Sequence, residues 1–289
     1  MTTQHPESLE ALLRENGTFV VPGAYDALSA RIAARSGARV VYMTGFGVAG
    51  ASFGVPDIGL LGPDQMSERV RAIASAIAPL PLIADGDNGH GGPANVARLV
   101  RAYELAGAQC IQLEDQAMPK RCGHMDGKEI VPLVEAAAKI RAAVAARTNI
   151  SFKIMARTDA IATDGMDEAL RRGEAFLNAG ADILFVEAAR SEEELLRVAQ
   201  TFPRTPLVAN MVEDGKTPFL SLPVLQQMGY RIVLRPVTAL LAIARRLEEV
   251  YSGILEGNAT VGERVTFTQY NEIVGLPEAL AFVSQCGEP

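Results

Sequence analysis

Short apolar runs rich in β-branched residues alternate along the chain with longer segments whose apolar positions recur every three to four residues. The runs fall at 19–21, 40–44, 80–84, 110–113, 152–156, 183–186, 207–209 and 232–234. They are short and apolar throughout, as strands buried on both faces are. Helical patterns lie between them at 27–35, 63–77, 95–105, 133–147, 167–178, 192–201, 222–227 and 239–255. Gly37, Gly107, Gly180 and Gly229 each stand just past a predicted helix, where a left-handed residue closes the last turn. Strand followed by helix, eight times over, predicts a single-domain (β/α)8 TIM barrel. A doubly wound open sheet is assembled from the same right-handed units and is the competing architecture. The rhythm stops after residue 256, and a C-terminal helical extension is expected from about 258, with helices at 267–273 and 277–284. Their apolar content points to packing on the barrel or on a neighbouring subunit, simple barrel closure being the plainer alternative.

Composition narrows the function classes. The chain has 289 residues, 27 Lys+Arg against 34 Asp+Glu, a formal charge of −7 and no Trp. Without basic runs or aromatic clusters it is not expected to bind nucleic acid. No apolar run approaches the length of a membrane span, and the polar N-terminal stretch lacks the apolar core of an export signal. Cys110, Cys122 and Cys286 show no paired spacing, so neither a disulfide framework nor a structural zinc site is expected, and the reading is of a reduced, cytoplasmic protein.

Two segments are too long for plain connectors: 45–62, with six glycines, and 115–131, which carries PKRCGHMDGK. Both follow strands, which puts them on the C-terminal face of a barrel, where its active site forms. On the same face the third strand runs into DGDNGHGG at 85–92. Asp85 and Asp87, one residue apart on a glycine-opened turn, suit a hard divalent cation. Glu114, Asp115 and Asp57 add carboxylates that would repel one another unless a cation joined them; Glu114 and Asp57 are expected to act on the metal's waters. Single helix caps and solvated acids are the bland alternative. Lys120, Arg121, His124, Arg157 and Arg235 bring positive charge for an anionic substrate, Arg157 being equally suited to a structural ion pair with Asp159. Glu187 and Asn210 close the sixth and seventh strands as polar support or caps. Cys122 lies among cations beside Gly123, a setting that favours the thiolate and suits a general acid or a nucleophile. Phosphate-cradling motifs are absent: Gly215-Lys216-Thr217 has Asn210 where the first glycine of a P-loop belongs.

From about residue 21 to 257 the chain resembles the isocitrate lyase/phosphoenolpyruvate mutase superfamily. The stretches that carry the likeness are VPGAYDALSA, TGFGVAGASFGVPDIGL, DGDNGHGG, LEDQAMPKRCGHMDGK, MARTDA, FVEA and ANMVEDGKTP. The resemblance implies a Mg2+-dependent barrel, with Mn2+ as a substitute, acting on small 2-hydroxy or 2-oxo dicarboxylates by C–C cleavage. It also implies a homotetramer, a dimer of dimers, with a terminal helix exchanged between subunits. By matching position, Asp85 is expected to hold the metal, with Asp87, Asp57 and Glu114 acting directly or through water. Thr44, Gly45, Phe46, Gly123, Arg157, Glu187 and Asn210 are expected around the substrate. Tyr42, Lys120, Cys122 and His124 are expected at the reacting centre, under a closing loop.

Within the superfamily the DGD, GGP and CGHMDGK stretches are most similar to the 2-alkylmalate and 2,3-dimethylmalate lyases and to oxaloacetate hydrolase. The 2-methylisocitrate lyases carry an Arg where this chain has Leu241, and an aromatic residue where it has Arg235, which favours a two-carboxylate substrate with an alkyl group. A PKRCGH stretch is shared with carboxyphosphonoenolpyruvate mutase, which keeps phosphonate chemistry as an alternative. A barrel that only senses an oxo acid is the non-enzymatic one.

Overall fold

The computed structural model describes residues 8–123, 127–258 and 262–287. Its eight strands are β1 (Phe19–Ala24), β2 (Val41–Met43), β3 (Leu82–Asp85), β4 (Cys110–Glu114), β5 (Lys153–Thr158), β6 (Ile183–Val186), β7 (Leu207–Asn210) and β8 (Ile232–Arg235). Each pairs in parallel with the next, and β8 returns to β1 with Phe19 beside Ile232 and Val21 beside Leu234. That last pairing closes the barrel and removes the open-sheet alternative. The helices are α1 (Leu9–Arg14), α2 (Ala27–Arg35), α3 (Gly45–Phe53), α4 (Pro63–Ile77), α5 (Pro93–Leu105), α6 (Leu133–Ala146), α7 (Ala160–Thr163), α8 (Met166–Asn178), α9 (Glu192–Thr201), α10 (Leu222–Met228), α11 (Thr238–Leu255), α12 (Phe267–Ile273) and α13 (Leu276–Gln285). Gly37, Gly107, Gly180 and Gly229 all take positive φ, as their places after helices require.

Side chains alternate between the two faces of each strand. Val21, Tyr42, Ile83, Cys110, Met155, Phe185, Val208 and Leu234 fill the barrel interior. Met43, Ala84, Ile111, Leu113, Ile154, Leu184 and Val233 face outward and pack with the helix layer. The buried strands thus read as continuous apolar runs because both faces are covered.

Three elements depart from the sequence expectation. α1 has only two buried residues, Leu9 and Leu12, but both enter the interior cluster, where they plug the N-terminal end of the barrel. α3 is a helix where a glycine-rich loop is expected. Thr44 caps it by accepting from the Gly47 N–H at 3.2 Å, and Gly54 ends it at φ 63°. Its glycines give room: a Cβ on Gly45 would lie 2.7 Å from Asp85 Oδ2. α11, expected to complete the helix layer, has no buried residue. Ile243, Leu247, Tyr251 and Ile254 form an exposed apolar stripe along it. Above β1 and α2 a groove of about 640 Å³ stays open beside Ala239 and Ile243. No helix among the described residues is long and apolar enough to cross a membrane.

Candidate active site

Alternation along each strand decides which side chains reach the C-terminal mouth. In β4, Gln112 and Glu114 share the inward face with Cys110, so Asp115 must face out. It accepts from Arg172 Nη1 on α8 at 3.0 Å, from Thr158 Oγ1 at 2.7 Å and from the Asp159 N–H at 2.9 Å. Asp115 is therefore a buried strut behind the barrel, not a member of the carboxylate cluster. The same parity turns Arg235 outward from β8: it donates to Glu213 Oε1, lies 4.5 Å from the centroid of the Phe219 ring, and Thr238 Oγ1 donates to the same Glu213 oxygen at 2.6 Å. Arg235 is thus spent on Glu213 and does not line the cavity.

A cavity of about 290 Å³ opens at the strand ends. Tyr42, Thr44, Phe46, Asp57, Asp85, Glu114, Lys120, Cys122, Gly123, Arg157, Glu187 and Asn210 line it. Two of the other expected residues stand directly behind: the Gly45 N–H donates to Asp85 Oδ2 at 3.2 Å, and Asp87 Oδ1 lies 2.6 Å from Lys120 Nζ. His124 lies outside the described residues. The far wall is largely apolar, made by Val212, Leu234, Pro236, Val237 and Leu241, with Glu213 beside them.

Asp85 is held from three directions. Gln112 Nε2 and the Asp87 N–H donate to its Oδ1, at 3.2 and 3.1 Å, and Gly45 reaches its Oδ2. Asp87 and His90 occupy positive φ, at 48° and 53°, in the turn that follows; Asn88 fixes it through bonds to Gln116 O and the His90 N–H. Gln112 also accepts from the Tyr42 hydroxyl at 3.1 Å. Burial pushes the Tyr42 phenol well above its usual range, and the Asp85 charge adds to this, so Tyr42 keeps its proton and acts as a donor.

Burial and the neighbouring Asp87 raise the Asp85 carboxyl to about 6, and burial lifts Glu114 well above the usual carboxylate range. Lys120 is buried between Asp57 and Asp87 and stays charged, because Asp87, Glu114, Asp57 and Asp85 together outweigh the effect of burial. The cluster is still short of positive charge, and Glu114 Oε1 is buried with no hydrogen-bond partner. An all-oxygen donor set of this kind fits a hard divalent cation. Among the described residues no three His, Cys, Asp or Glu side chains form a closed cage.

Across the cavity, Arg157 donates through Nε and Nη2 to Asp159 at 2.9 and 3.0 Å, with Glu114 at 3.5 Å and the Phe185 ring centroid at 5.3 Å. The ion pair with Asp159 and the place on the cavity wall coexist. Glu187 accepts from Asn210 Nδ2 at 3.1 Å, while Asn210 Oδ1 is buried without a partner. Cys122 is half-buried. Gly123 is wedged so tightly that a Cβ there would meet Arg157 Nη2 at 2.4 Å.

Sequence reasoning misses Gln112, Lys128 and Phe185. Gln112 has a legible signal, a lone amide on the inward face of an apolar strand two residues before Glu114; Lys128 has none, because only the fold brings it behind Arg157.

The family model described as phosphoenolpyruvate phosphomutase matches residues 9–255. The chain is 45% identical over 271 residues to the 2,3-dimethylmalate lyase of Eubacterium barkeri, 93% of each chain being covered. Its fold matches a solved oxaloacetate acetylhydrolase in complex with 3,3-difluorooxalacetate with a TM-score of 0.94 at 34% identity, over 98% of this chain and 97% of that one. It matches a solved phosphonopyruvate hydrolase complex with oxalate and Mg++ with a TM-score of 0.86 at 31% identity, over 97% and 98% of the two chains. Fold, strand-end chemistry and relatedness therefore agree that the chain belongs to the phosphoenolpyruvate phosphomutase family, within the superfamily that includes the isocitrate lyases.

Proposed function

We propose that this protein is a Mg2+-dependent lyase that cleaves the C2–C3 bond of a 2-alkylmalate-type dicarboxylate, releasing a 2-oxo acid and a carboxylate. The observation that carries the reading is the division of the cavity. One side holds Asp85, Glu114, Lys120 and Arg157, and the other is the largely apolar wall ending at Leu241, whose one carboxylate, Glu213, is held by Arg235 and Thr238. Two carboxylates and an alkyl group match these two sides, whereas a third carboxylate would meet Leu241. The relationship to a 2,3-dimethylmalate lyase supports the same choice.

In this reading Asp85 and Asp87 hold Mg2+, with Asp57 and Glu114 around it. When bound, the ion would supply Lewis-acid polarisation of the substrate's oxygens. Arg157 and the N-terminus of α3, at Thr44 and Phe46, bind carboxylate charge. The C2 hydroxyl proton passes to a carboxylate of the cluster. As the C2–C3 bond breaks, its electron pair moves to C3 and into the attached carboxylate, while C2 becomes the ketone of the 2-oxo acid. Tyr42, which keeps its proton, and Lys120 stabilise the developing charge. Cys122 returns a proton to C3, which completes the carboxylate product. Glu187 and Asn210 orient the oxo-acid half.

The test is release of oxo acid from 2-methylmalate, 2,3-dimethylmalate, 2-ethylmalate and 2-methylisocitrate, with and without Mg2+, beside oxaloacetate and phosphonopyruvate. Metal-dependent release from the malates is expected. Activity confined to 2-methylisocitrate or phosphonopyruvate would overturn the reading. The close fold match to oxaloacetate acetylhydrolase favours a second reading, hydrolysis of oxaloacetate to oxalate and acetate, and turnover of oxaloacetate alone would select it.

We also propose that the chain works as a homotetramer, with the α11 stripe and the groove beside Ile243 covered by a second copy.

A further inference from the structure

Lys128 lies outside the cavity lining, yet its side chain is 1% exposed and its ammonium makes two hydrogen bonds. It donates to the Gly123 carbonyl and, at 2.7 Å, to Asp159 Oδ1. The same Oδ1 accepts from Arg157 Nη2 at 3.0 Å, and Asp159 Oδ2 accepts from Arg157 Nε at 2.9 Å. One ammonium thus ties the backbone beside Cys122 to the carboxylate that orients Arg157. Gly123 is the only residue type that fits there, since any Cβ would strike Arg157 and Glu187. The near end of the segment is clasped separately: Gln116 donates to the Arg121 carbonyl and accepts from the Arg121 N–H, both at 2.8 Å.

We propose that Lys128 is a positioning residue that couples the placement of the backbone beside Cys122 to the orientation of Arg157, through the carboxylate of Asp159 that Lys128 and Arg157 share. Without the ammonium, the Gly123 carbonyl loses the donor that draws it inward, and Asp159 keeps one of its two cationic partners. Lys128 touches no reacting atom; it sets where Cys122 stands when Arg157 is in place.

The experiment uses the full chain carrying Cys286→Ser. Cys110 is buried, so alkylation by iodoacetamide then reports Cys122. Lys128→Met is expected to raise the Cys122 alkylation rate at least tenfold, and to weaken the protection given by oxalate with Mg2+. Lys128→Arg, which keeps the charge, is expected to restore most of the slow rate. The kinetic arm rests on the lyase reading: kcat is expected to fall at least tenfold in Lys128→Met, with KM changing less than threefold. Alkylation is read without turnover, so an enzyme inactive on every malate would remove the lyase reading while leaving this one testable. An alkylation rate within twofold of the parent, with oxalate protection intact, would overturn the coupling. If Lys128→Met does not fold, Lys128→Gln is read by the same criteria.

Discussion

Asp159 takes part in no proposed chemical step, yet its buried carboxylate bears two cations, Arg157 and Lys128. Burial alone would raise its carboxyl, but Arg157 and Lys128 outweigh that and hold it at about 2, below the usual 3.8. Because the folded value lies below the unfolded one, its stabilisation is fully present above about pH 5 and is lost as the pH falls toward 2. The loss is on the order of 2 kcal/mol over that window. Asp159→Asn is expected to lower stability at pH 7 by roughly 3–5 kcal/mol, since Arg157 and Lys128 are left short of a buried counter-charge. Its melting temperature should also vary less than the wild type's between pH 5 and pH 3; an unchanged acid limb would count against this assignment. At this scale the sequence is legible wherever a strand is recognised with its parity. Asp85, Glu114, Arg157, Glu187 and Asn210 stand on inward positions and reach the cavity, whereas Asp115 and Arg235 are one residue out of phase and do not. Charge at a strand end is a weaker signal than charge on the inward phase of that strand. The link from Lys128 to Arg157 depends on a return of the chain that no local pattern encodes.

Among the elements, strands and helices with a clear period are read close to their true bounds, and the misses have identifiable causes. In α3 the glycines lower helix propensity by about 1 kcal/mol each relative to alanine. Tertiary contact prevails because only glycine admits the close approach of Asp85. α1 is too short to display a period, and its buried Leu9 and Leu12 make sense only once the open end of a barrel exists to receive them. Leu9→Ala is expected to cost roughly 2–4 kcal/mol, the usual range for emptying a packed leucine site. Since α1 lies at the end of the barrel opposite the cavity, kcat should stay within about twofold at temperatures where the variant remains folded. Thermal unfolding and steady-state kinetics on the same preparation check both statements, and a large fall in kcat without loss of stability would contradict them.

For the whole molecule, the eightfold rhythm in the sequence correctly gives the barrel, but it assigns 239–255 the ordinary role of an eighth covering helix. The structure leaves that helix uncovered, because its apolar stripe faces away from its own barrel. A self-contained domain seldom leaves such a stripe to water. Replacing Ile243 and Leu247 together by Asp is expected to reduce the assembly to smaller species, as measured by light scattering, with the barrel's far-ultraviolet circular dichroism retained. A variant mass equal to the parent's, or a monomeric mass for the parent across a hundredfold range of concentration, would refute the assembly proposed for this face. The same helix also carries Leu241, in its first turn, on the wall of the cavity. The cavity's carboxylates are anchored in the rigid barrel, whereas the wall that the lyase reading assigns to the alkyl group rides on a helix that, in the proposed assembly, a second copy would steady. In that assembly, chemistry and choice of substrate would answer to different forces, one to folding and the other to mass action. Dilution should then blur discrimination among alkyl groups before it slows cleavage, and specificity would be a property the subunits hold in common.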